Sequence, residues 1–273
     1  MKSGKKKPSG RAMGAAVAGV DIGSIFTKVV IIDAESYDII SFSIMRSGAS
    51  HENASRSATK DALRAAGMSL EDLAYVVSTG YGRSRVPFAD RQITEITCHA
   101  RAAKFLFPDA HTIIDIGGQD SKVIRIDAAG RVTNFVMNDR CAAGTGRFLE
   151  VMAEALEVDL GKMTELSLRA TKNIEVSSVC AVFAESEVIS LIASGHEKAD
   201  IAAAIFRAIA RRITGMVGQL GVQERVVMTG GVAKNEGVVR ALEERLNVKI
   251  TVPEEPQIAG ALGAALLAAE SLK

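Results

Sequence analysis

Short apolar runs rich in valine and isoleucine alternate with glycine turns along much of the chain. Residues 21–33, DIGSIFTKVVIID, and residues 115–127, DIGGQDSKVIRID, each read as a strand end, a tight glycine turn and a returning strand. A further apolar run follows each of them, at 38–45 and at 131–138, and predicts a third strand. The pattern therefore predicts two βββ units.

The two units repeat one sequence at an offset of 94 residues. Seven of their thirteen positions are identical, and Thr27 and Ser121 are a near match. Repetition of a whole βββ unit predicts two similar α/β domains that arose by duplication. We expect a basic disordered tail over 1–17, a first domain over 18–97 to which a C-terminal helix 257–273 returns, and a second domain over 98–256.

Composition and charge narrow the class of protein. The chain is 48% hydrophobic and 24% charged, with a net charge of +1, as expected for an ordinary globular protein. Five lysines and arginines in the first eleven residues leave 28 basic against 32 acidic residues for the rest, so the tail is expected to be solvated. Since no segment reaches 18 uninterrupted apolar residues, we expect a cytoplasmic protein without a membrane or nucleic-acid partner.

The D-I-G turns suit a phosphate site. Glycine lets backbone N–H groups approach a phosphate closely, and an aspartate at a strand end can hold Mg²⁺ directly or through water. A single turn of this kind is equally well a plain β-turn, but two matched copies favour a triphosphate held from both sides. The chain contains no G-x-x-x-x-G-K-[ST] motif, which excludes an ordinary Walker site.

A third glycine motif supports the pair. Residues 225–246, RVVMTGGVAKNEGVVRALEERL, read as a strand, a Gly-Gly turn and an amphipathic helix. Glycines there permit close approach of a sugar or a flat ring, and a helix start favours phosphate. The motif is weak alone, but after the two D-I-G hairpins it predicts the nucleoside side of the same site.

The cysteines form neither a disulfide framework nor a conventional zinc site, because there are only three and the four histidines show no paired metal spacing. Cys141 and Cys180 each precede a predicted helix, and Ser177 and Ser178 are candidate caps for the second. A helix start stabilises a thiolate or an anionic cluster.

The residues alone leave three possible roles open for these two cysteines. A nucleophile would need a base, and no histidine lies near either of them in the sequence. A buried packing thiol is common. A [4Fe–4S] cluster needs four ligands, a count that a two-fold dimer would supply. For Cys98 and His99, in a helical segment joining the repeats, we expect packing roles, and we expect Lys28 and Lys122 to face solvent.

The three glycine motifs resemble the two phosphate motifs and the adenosine motif of the actin/Hsp70/sugar-kinase superfamily. The resemblance implies an α/β fold of two duplicated βββαβα domains flanking an ATP cleft. It assigns Mg²⁺ to Asp21 and Asp115, phosphates to Gly23, Ser24, Gly117 and Gly118, and the nucleoside to Gly230, Gly231 and Asn235. Asp115 and Gln119 are the expected catalytic residues, with Gln119 positioning the attacking water or contacting phosphate.

A closer resemblance covers residues 18–270. The segments NDRCAAGTGRFLEVMA, VCAVFAESEVIS, STGYGR, DIGGQDSKVI and MTGGVAKN resemble the ATP-dependent activators (component A) of 2-hydroxyacyl-CoA dehydratases. These belong with the benzoyl-CoA reductase ATPase subunits in the BadF/BadG/BcrA/BcrD-type ATPase family. The resemblance implies that Cys141 and Cys180 from both chains of a homodimer hold one oxygen-sensitive [4Fe–4S] cluster.

The implied activity is electron transfer driven by ATP hydrolysis. One electron from ferredoxin or flavodoxin would pass through the cluster to a 2-hydroxyacyl-CoA dehydratase (component D). A benzoyl-CoA reductase-type ATPase is the alternative within the family. A sugar kinase of the same superfamily, and a nucleotide-dependent chaperone or filament protein, are alternatives from other classes that would contain no iron.

Overall fold

A computed structural model describes residues 14–138, 142–177 and 180–273, and the strands of this part form two sheets of the same design. The strands are β1 Ala16–Ile22, β2 Phe26–Asp33, β3 Ile39–Arg46, β4 Leu73–Thr79, β5 Arg91–Gln92, β6 Thr112–Ile116, β7 Ser121–Ile126, β8 Val132–Asn138, β9 Val226–Thr229 and β10 Ile250–Thr251. The helices are α1 His51–Ala66, α2 Glu95–Leu106, α3 Gly146–Ala155, α4 Leu160–Ser167, α5 Ala181–Ala193, α6 Lys198–Leu220, α7 Glu236–Leu246 and α8 Ala259–Glu270.

The strand orders confirm the duplication. The first sheet runs β3-β2-β1-β4-β5, and the second runs β8-β7-β6-β9-β10, which is the same order of equivalent strands. In each sheet the first three strands along the chain pair antiparallel, and the remaining two add in parallel. Both predicted βββ units and the strand–turn–helix at 225–246 are therefore present.

The register of the two leading hairpins fixes which side chains share a face. Asp21 pairs directly with Lys28 between β1 and β2, and Asp115 pairs with Lys122 between β6 and β7. Residues directly opposite on antiparallel strands project from the same face of the sheet. Each aspartate is thus placed beside a lysine by the hairpin itself.

Helix α2 lies between the two sheets. Cys98 and Ala102 belong to the apolar cluster that joins α2 and α8 to the first sheet, whereas Ile96 and Ala100 pack with β6, β7 and β9 of the second sheet. Helix α1 covers the other face of the first sheet, and helices α3 to α7 cover the other face of the second. One helix therefore contacts both halves next to the space between their hairpins.

The ends of the predicted segments differ from the sequence expectation. Residues 1–13 lie outside the described part, but β1 begins at Ala16 with its residues buried, and Gly14 N donates a 2.7 Å hydrogen bond to Asp33 Oδ2. The disordered tail expected over 1–17 is thus wrong for its last four residues. The expected boundary between residues 97 and 98 falls inside α2.

No helix in the described ranges is long and apolar enough to cross a lipid bilayer.

Candidate active site

A cavity of about 480 Å³ opens between the two leading hairpins, and residues from both sheets line it. The residues expected to bind Mg²⁺, phosphate and nucleoside all lie on its wall: Asp21, Gly23, Ser24, Asp115, Gly117, Gly118, Gly230, Gly231 and Asn235. Gln119 is exposed and does not line the cavity, although its neighbours Gly118 and Asp120 do. Its catalytic role stays a prediction.

Both hairpin lysines point into this cavity, so the expectation that they face solvent is wrong. Lys28 Nζ donates to Asp21 Oδ2 at 2.8 Å, and its side chain is 15% exposed. Lys122 Nζ lies 3.3 Å from Asp115 Oδ2 and 2.8 Å from Asp120 Oδ2, with 4% of its side chain exposed. The site therefore carries one buried cation on each hairpin.

Asp115 lies in a polar network that joins the second sheet to α2. Thr229 Oγ1 donates to Asp115 Oδ1 at 2.9 Å, and His99 Nδ1 lies 3.0 Å from Thr229 Oγ1. Because the single hydroxyl proton is given to the carboxylate, Thr229 must accept from His99, which places the proton on Nδ1. His99 is buried, as expected, but its polar contacts make it a residue of the site and not only of the core.

The network keeps Asp115 ionised. Burial by itself raises the pKa of Asp115, but the adjacent His99 and Lys122 and the Thr229 hydroxyl hold that pKa down at about 2. Burial lowers the pKa of Lys122, and the carboxylates of Asp115 and Asp120 outweigh it, so the net shift is upward. Burial also raises the pKa of Asp120. A charged carboxylate at Asp115 is what a magnesium site requires.

Gly230 is required by the approach of β9 to β6. Its φ is +87°, and a Cβ there would lie 2.8 Å from Asp115 Oδ1 and still closer to the Ile116 carbonyl oxygen. Any side chain would therefore displace the carboxylate and strain the backbone. Gly230 N donates to Pro256 O at 2.9 Å, which joins this turn to the segment before α8.

The start of α7 lines the side of the cavity where the sequence predicts the nucleoside. Asn235 is the N-cap of this helix, and its Oδ1 accepts a 3.1 Å hydrogen bond from Val238 N. The side-chain oxygen of Asn235 thus satisfies one N–H group of the first helical turn. Lys234 pairs with Glu255 at 2.7 Å, which holds the rim of the same region.

Cys180 is the N-cap of α5 and is exposed. The Cys180 side chain makes no capping hydrogen bond. The expected capping role of Ser177 is wrong, because its N and Oγ bond to Glu187 Oε1 at 2.9 and 3.0 Å instead. The expected cap Ser178 lies outside the described residues. The next residues, Val182 and Phe183, are 66% and 68% exposed. An exposed thiol and an uncovered apolar pair thus occur together at the start of α5.

Cys141, the other expected cluster ligand, lies outside the described residues. Within the described ranges no three histidine, cysteine, aspartate or glutamate side chains are grouped to hold a metal ion. Cys98 is fully buried in the α2–α8 cluster, and burial raises the pKa of its thiol to about 12. This confirms the expected packing role of Cys98.

Most of the chain matches the sequence model of one known protein family. The sequence model of the "BadF/BadG/BcrA/BcrD ATPase family" matches residues 18–268. Among curated relatives, the 2-hydroxyisocaproyl-CoA dehydratase activator of Clostridioides difficile is 47% identical over 255 residues, covering 93% of this chain and 95% of the relative. The (R)-2-hydroxyglutaryl-CoA dehydratase activating ATPase of Acidaminococcus fermentans is 48% identical over 251 residues, covering 92% and 95%.

Solved structures agree with these relatives. The crystal structure of component A of the Acidaminococcus fermentans (R)-2-hydroxyglutaryl-CoA dehydratase superposes with a TM-score of 0.90 at 46% identity, covering 94% of this chain and 99% of that one. The Clostridium difficile 2-hydroxyisocaproyl-CoA dehydratase activator with bound ADPNP gives 0.88 at 44% identity, covering 94% and 95%.

More distant matches concern the alternative functions. A benzoyl-CoA reductase subunit of Thauera aromatica is 34% identical over 260 residues, covering 91% of each chain. A ROK family glucokinase from Streptomyces griseus in complex with glucose and AMPPNP matches with a TM-score of 0.58 at 16% identity, covering 93% of this chain and 99% of that one. The kinase likeness shows the actin/Hsp70/sugar-kinase-like fold alone.

Proposed function

Because the chain belongs to the BadF/BadG/BcrA/BcrD ATPase family, we propose that it hydrolyses ATP to drive one electron into a 2-hydroxyacyl-CoA dehydratase. The observation that carries the proposal is the pair of matched hairpins whose aspartates face one cavity, together with an exposed cysteine at the N-cap of α5. The two dehydratase activators, 47% and 48% identical over nearly the whole chain, support the dehydratase as partner. The proposal keeps the cytoplasmic location expected from the sequence.

The cavity between the hairpins supports binding of Mg²⁺ and a nucleotide. Asp21 and Asp115 present carboxylate oxygens from opposite hairpins, a donor set that fits Mg²⁺ bound directly or through water. Mg²⁺ bound there would neutralise charge on the phosphates. The glycine turns at 23 and at 117–118 leave their backbone close to the same space, and the turn at 230–231 closes its nucleoside side.

Lys28 and Lys122 are assigned to the phosphates. Each lysine pairs with the aspartate of its own hairpin. A magnesium ion at the aspartates would repel both ammonium groups and favour their contact with phosphate oxygens, while Lys122 would keep Asp120, 2.8 Å away, as a second partner. Gln119, on the exposed tip between Gly118 and Asp120, is kept as the residue that positions water at the terminal phosphate.

Cys180 and its surroundings support the proposed iron–sulfur cluster. The thiol is exposed at the N-cap of α5, where the N–H groups of the first helical turn and the helix dipole favour an anionic centre. Exposed Val182 and Phe183 beside it suit burial against a second copy. A [4Fe–4S] cluster held by Cys141 and Cys180 of two chains would supply a one-electron carrier.

Hydrolysis is linked to electron flow through the two sheets. In the proposed cycle ATP and water give ADP and phosphate, while ferredoxin or flavodoxin is oxidised by one electron and the dehydratase is reduced by one. Loss of the terminal phosphate would relax the closure of the hairpins. Helices α3 and α5 are packed in the core of the second sheet, so they would move with it.

The alternatives have weaker support. Identity to the benzoyl-CoA reductase protein is 34%, against 47% and 48% for the dehydratase activators. Likeness to the glucokinase, at 16% identity, carries no statement about substrate. The sugar-kinase alternative would also leave the exposed cysteine at α5 without a role.

The decisive assay mixes the anaerobically purified chain with a purified inactive 2-hydroxyacyl-CoA dehydratase, reduced ferredoxin and Mg-ATP. The proposal predicts dehydration of the hydroxyacyl-CoA only when ATP is hydrolysed. Activation by ADPNP alone, or ATP consumption that requires a sugar and yields a sugar phosphate, would contradict it. Reduction of benzoyl-CoA in a parallel assay with benzoyl-CoA reductase would favour the alternative within the family.

A further inference from the structure

We infer that Ser121 is a positioning residue that couples the second phosphate loop to the turn at 142–145, which directly follows Cys141 in the chain. This inference rests on the proposed function, since it concerns how the nucleotide in the cavity reaches the neighbourhood of one of the two proposed cluster ligands. It predicts that residues 142–150 respond to the nucleotide through the phosphate loop.

Three hydrogen bonds join the phosphate loop to the segment that follows Cys141. The Ser121 hydroxyl donates to Gly144 O at 2.5 Å, and both residues are buried. Gly146 N donates to Gly117 O at 2.9 Å, and Arg147 N donates to Gly118 O at 2.8 Å. The first turn of α3 is thus bonded to the carbonyl groups of the loop expected to hold phosphate, so a rotation of that loop must be shared with α3.

The joined segment is compact and short. Thr145 is fully buried, and its Oγ1 donates to Ala142 O at 2.6 Å, which closes residues 142–145 into one turn. Asn138 Nδ2 donates to Ala143 O at 3.3 Å, and Asn138 is the cross-strand partner of Ser121. Ala142 follows Cys141 directly in the chain, so a displacement of this turn reaches the cysteine through one peptide bond.

The second phosphate loop also packs against the opposite hairpin. Ile25 lies against Gly118, where an added Cβ would stand 2.6 Å from Ile25 Cδ1. Any change in the separation of the two hairpins therefore acts on the backbone that bonds to α3. Because packed contacts of this kind transmit displacement and do not absorb it, closure around a nucleotide is expected to move the turn at 142–145.

The segment at 174–177, which precedes Cys180, is held by different groups. Arg207 Nη2 donates to Ile174 O at 2.9 Å, and Arg211 Nη2 donates to Val176 O at 2.8 Å, so helix α6 fixes the segment before Cys180. Neither arginine lines the cavity. These side-chain hydrogen bonds to residues 174 and 176 thus come from α6, whereas residues 144–147 bond to the loop expected to hold phosphate.

The first hairpin shows that this link is not a general property of the motif. Thr27, the duplicate of Ser121, bonds to Ser47 Oγ at 3.0 Å, and Ser47 donates to Gly23 O at 2.8 Å. The hydroxyl of the first hairpin thus closes its own loop. The threonine also shows that a β-branched hydroxyl residue fits this position of the hairpin.

The test compares the full-length chain with Ser121→Ala, Ser121→Thr and the control Ser41→Ala, which removes another buried serine hydroxyl bonded to a carbonyl, that of Ala62. Hydrogen exchange of residues 142–150 is measured in the iron-free protein with Mg-ADP and with Mg-ADPNP. In the parent, exchange should differ about tenfold between the two nucleotides, and Ser121→Ala should lose this difference, as one lost hydrogen bond near 1.4 kcal/mol allows. Ser121→Thr and Ser41→Ala should retain it.

The midpoint potential of the iron-loaded proteins provides a second measurement. The difference in midpoint potential between the ADP and ADPNP states should shrink in Ser121→Ala and return in Ser121→Thr, with iron content unchanged. A parental exchange response in Ser121→Ala, or no response in the parent itself, would overturn the coupling role. If the alanine variant does not fold, Ser121→Cys replaces it, since a thiol fills the space but donates weakly. Absence of iron from the parent would count against the proposed function, whereas the exchange result still decides the coupling.

Discussion

Lys122 lies directly opposite Asp115 on the second hairpin, with Nζ 3.3 Å from Oδ2. The same pair recurs on the first hairpin as Lys28 and Asp21, at 2.8 Å. The duplication has therefore preserved an acid–base pair and not only a glycine turn. A magnesium–triphosphate complex could replace the partners in both pairs, because the magnesium ion could bind the two aspartates and the phosphates could bind the two lysines.

Lys28→Met and Lys122→Met should each reduce ATP hydrolysis about ten- to a hundredfold, because each removes one charge-assisted contact to phosphate. Lys122→Met should also lower the melting temperature more than Lys28→Met, since it leaves the buried Asp115 and the partly buried Asp120 without their shared cation. Lys60→Met, on the exposed face of α1, is the control and should change neither quantity. Parental hydrolysis in both hairpin variants would show that these lysines serve the empty state alone.

Asp115→Ala should reduce Mg-dependent ATP hydrolysis at least about a hundredfold while leaving the iron content unchanged, because the carboxylate faces the nucleotide cavity. Asp127→Ala, at the far end of the same hairpin and paired with Arg131, is the matched control and should hydrolyse ATP at the parental rate. Steady-state phosphate release and iron analysis on the same samples make the comparison. Loss of iron together with hydrolysis would show that the residue is structural.

Local patterns predict the parts of the site that lie within one hairpin. Asp21, Asp115 and the glycine turns are recognisable because a D-I-G turn between two apolar runs is complete within thirteen residues. The motif alone misses the lysines although the signal is present, since a residue seven positions after each aspartate lies opposite it in such a hairpin. The register, taken together with the motif, places both lysines in the cavity.

Contacts distant in sequence could not be predicted. His99 and Thr229 are 130 positions apart, and only the placement of α2 between the sheets brings them together. The position of Ser177 predicts a cap for α5, but the helix begins at Cys180 and the serine bonds to Glu187 instead. Which polar group caps a helix depends on where the preceding segment is held, and here α6 holds it.

Gly263→Ala should lower the free energy of unfolding by about 1–3 kcal/mol, because a Cβ at this position of α8 would collide with the Cys98 carbonyl oxygen of α2. Gly215→Ala in α6, where no atom lies within 4 Å of the added Cβ, should instead stabilise the chain by about 0.5–1 kcal/mol. Urea unfolding of both variants provides the measurement. Equal stability of the two would show that α2 and α8 separate easily.

The Cys98 thiol should make stability fall in alkaline solution. Its folded pKa is about 12 because of burial, against 9.0 for the free thiol, so only the unfolded chain releases this proton as the pH rises above 9. Its contribution is complete below pH 9 and is lost as the pH approaches 12. Between about pH 8 and about pH 10 the parent should lose about 1.4 kcal/mol more unfolding free energy than Cys98→Ala. Identical pH profiles would mean that the thiol is accessible in the folded chain.

Native mass spectrometry of the anaerobically purified chain, with iron and sulfide analysis, shows whether two chains share one cluster. We expect a dimer that carries one [4Fe–4S] cluster, or about two irons per chain, because each chain supplies two of four thiolates. Cys141→Ser and Cys180→Ser should each abolish the cluster, while Cys98→Ser, whose thiol is buried between α2 and α8, should retain it. An iron-free parent, a monomer with about four irons, or an unchanged cluster in Cys141→Ser or Cys180→Ser would contradict the account.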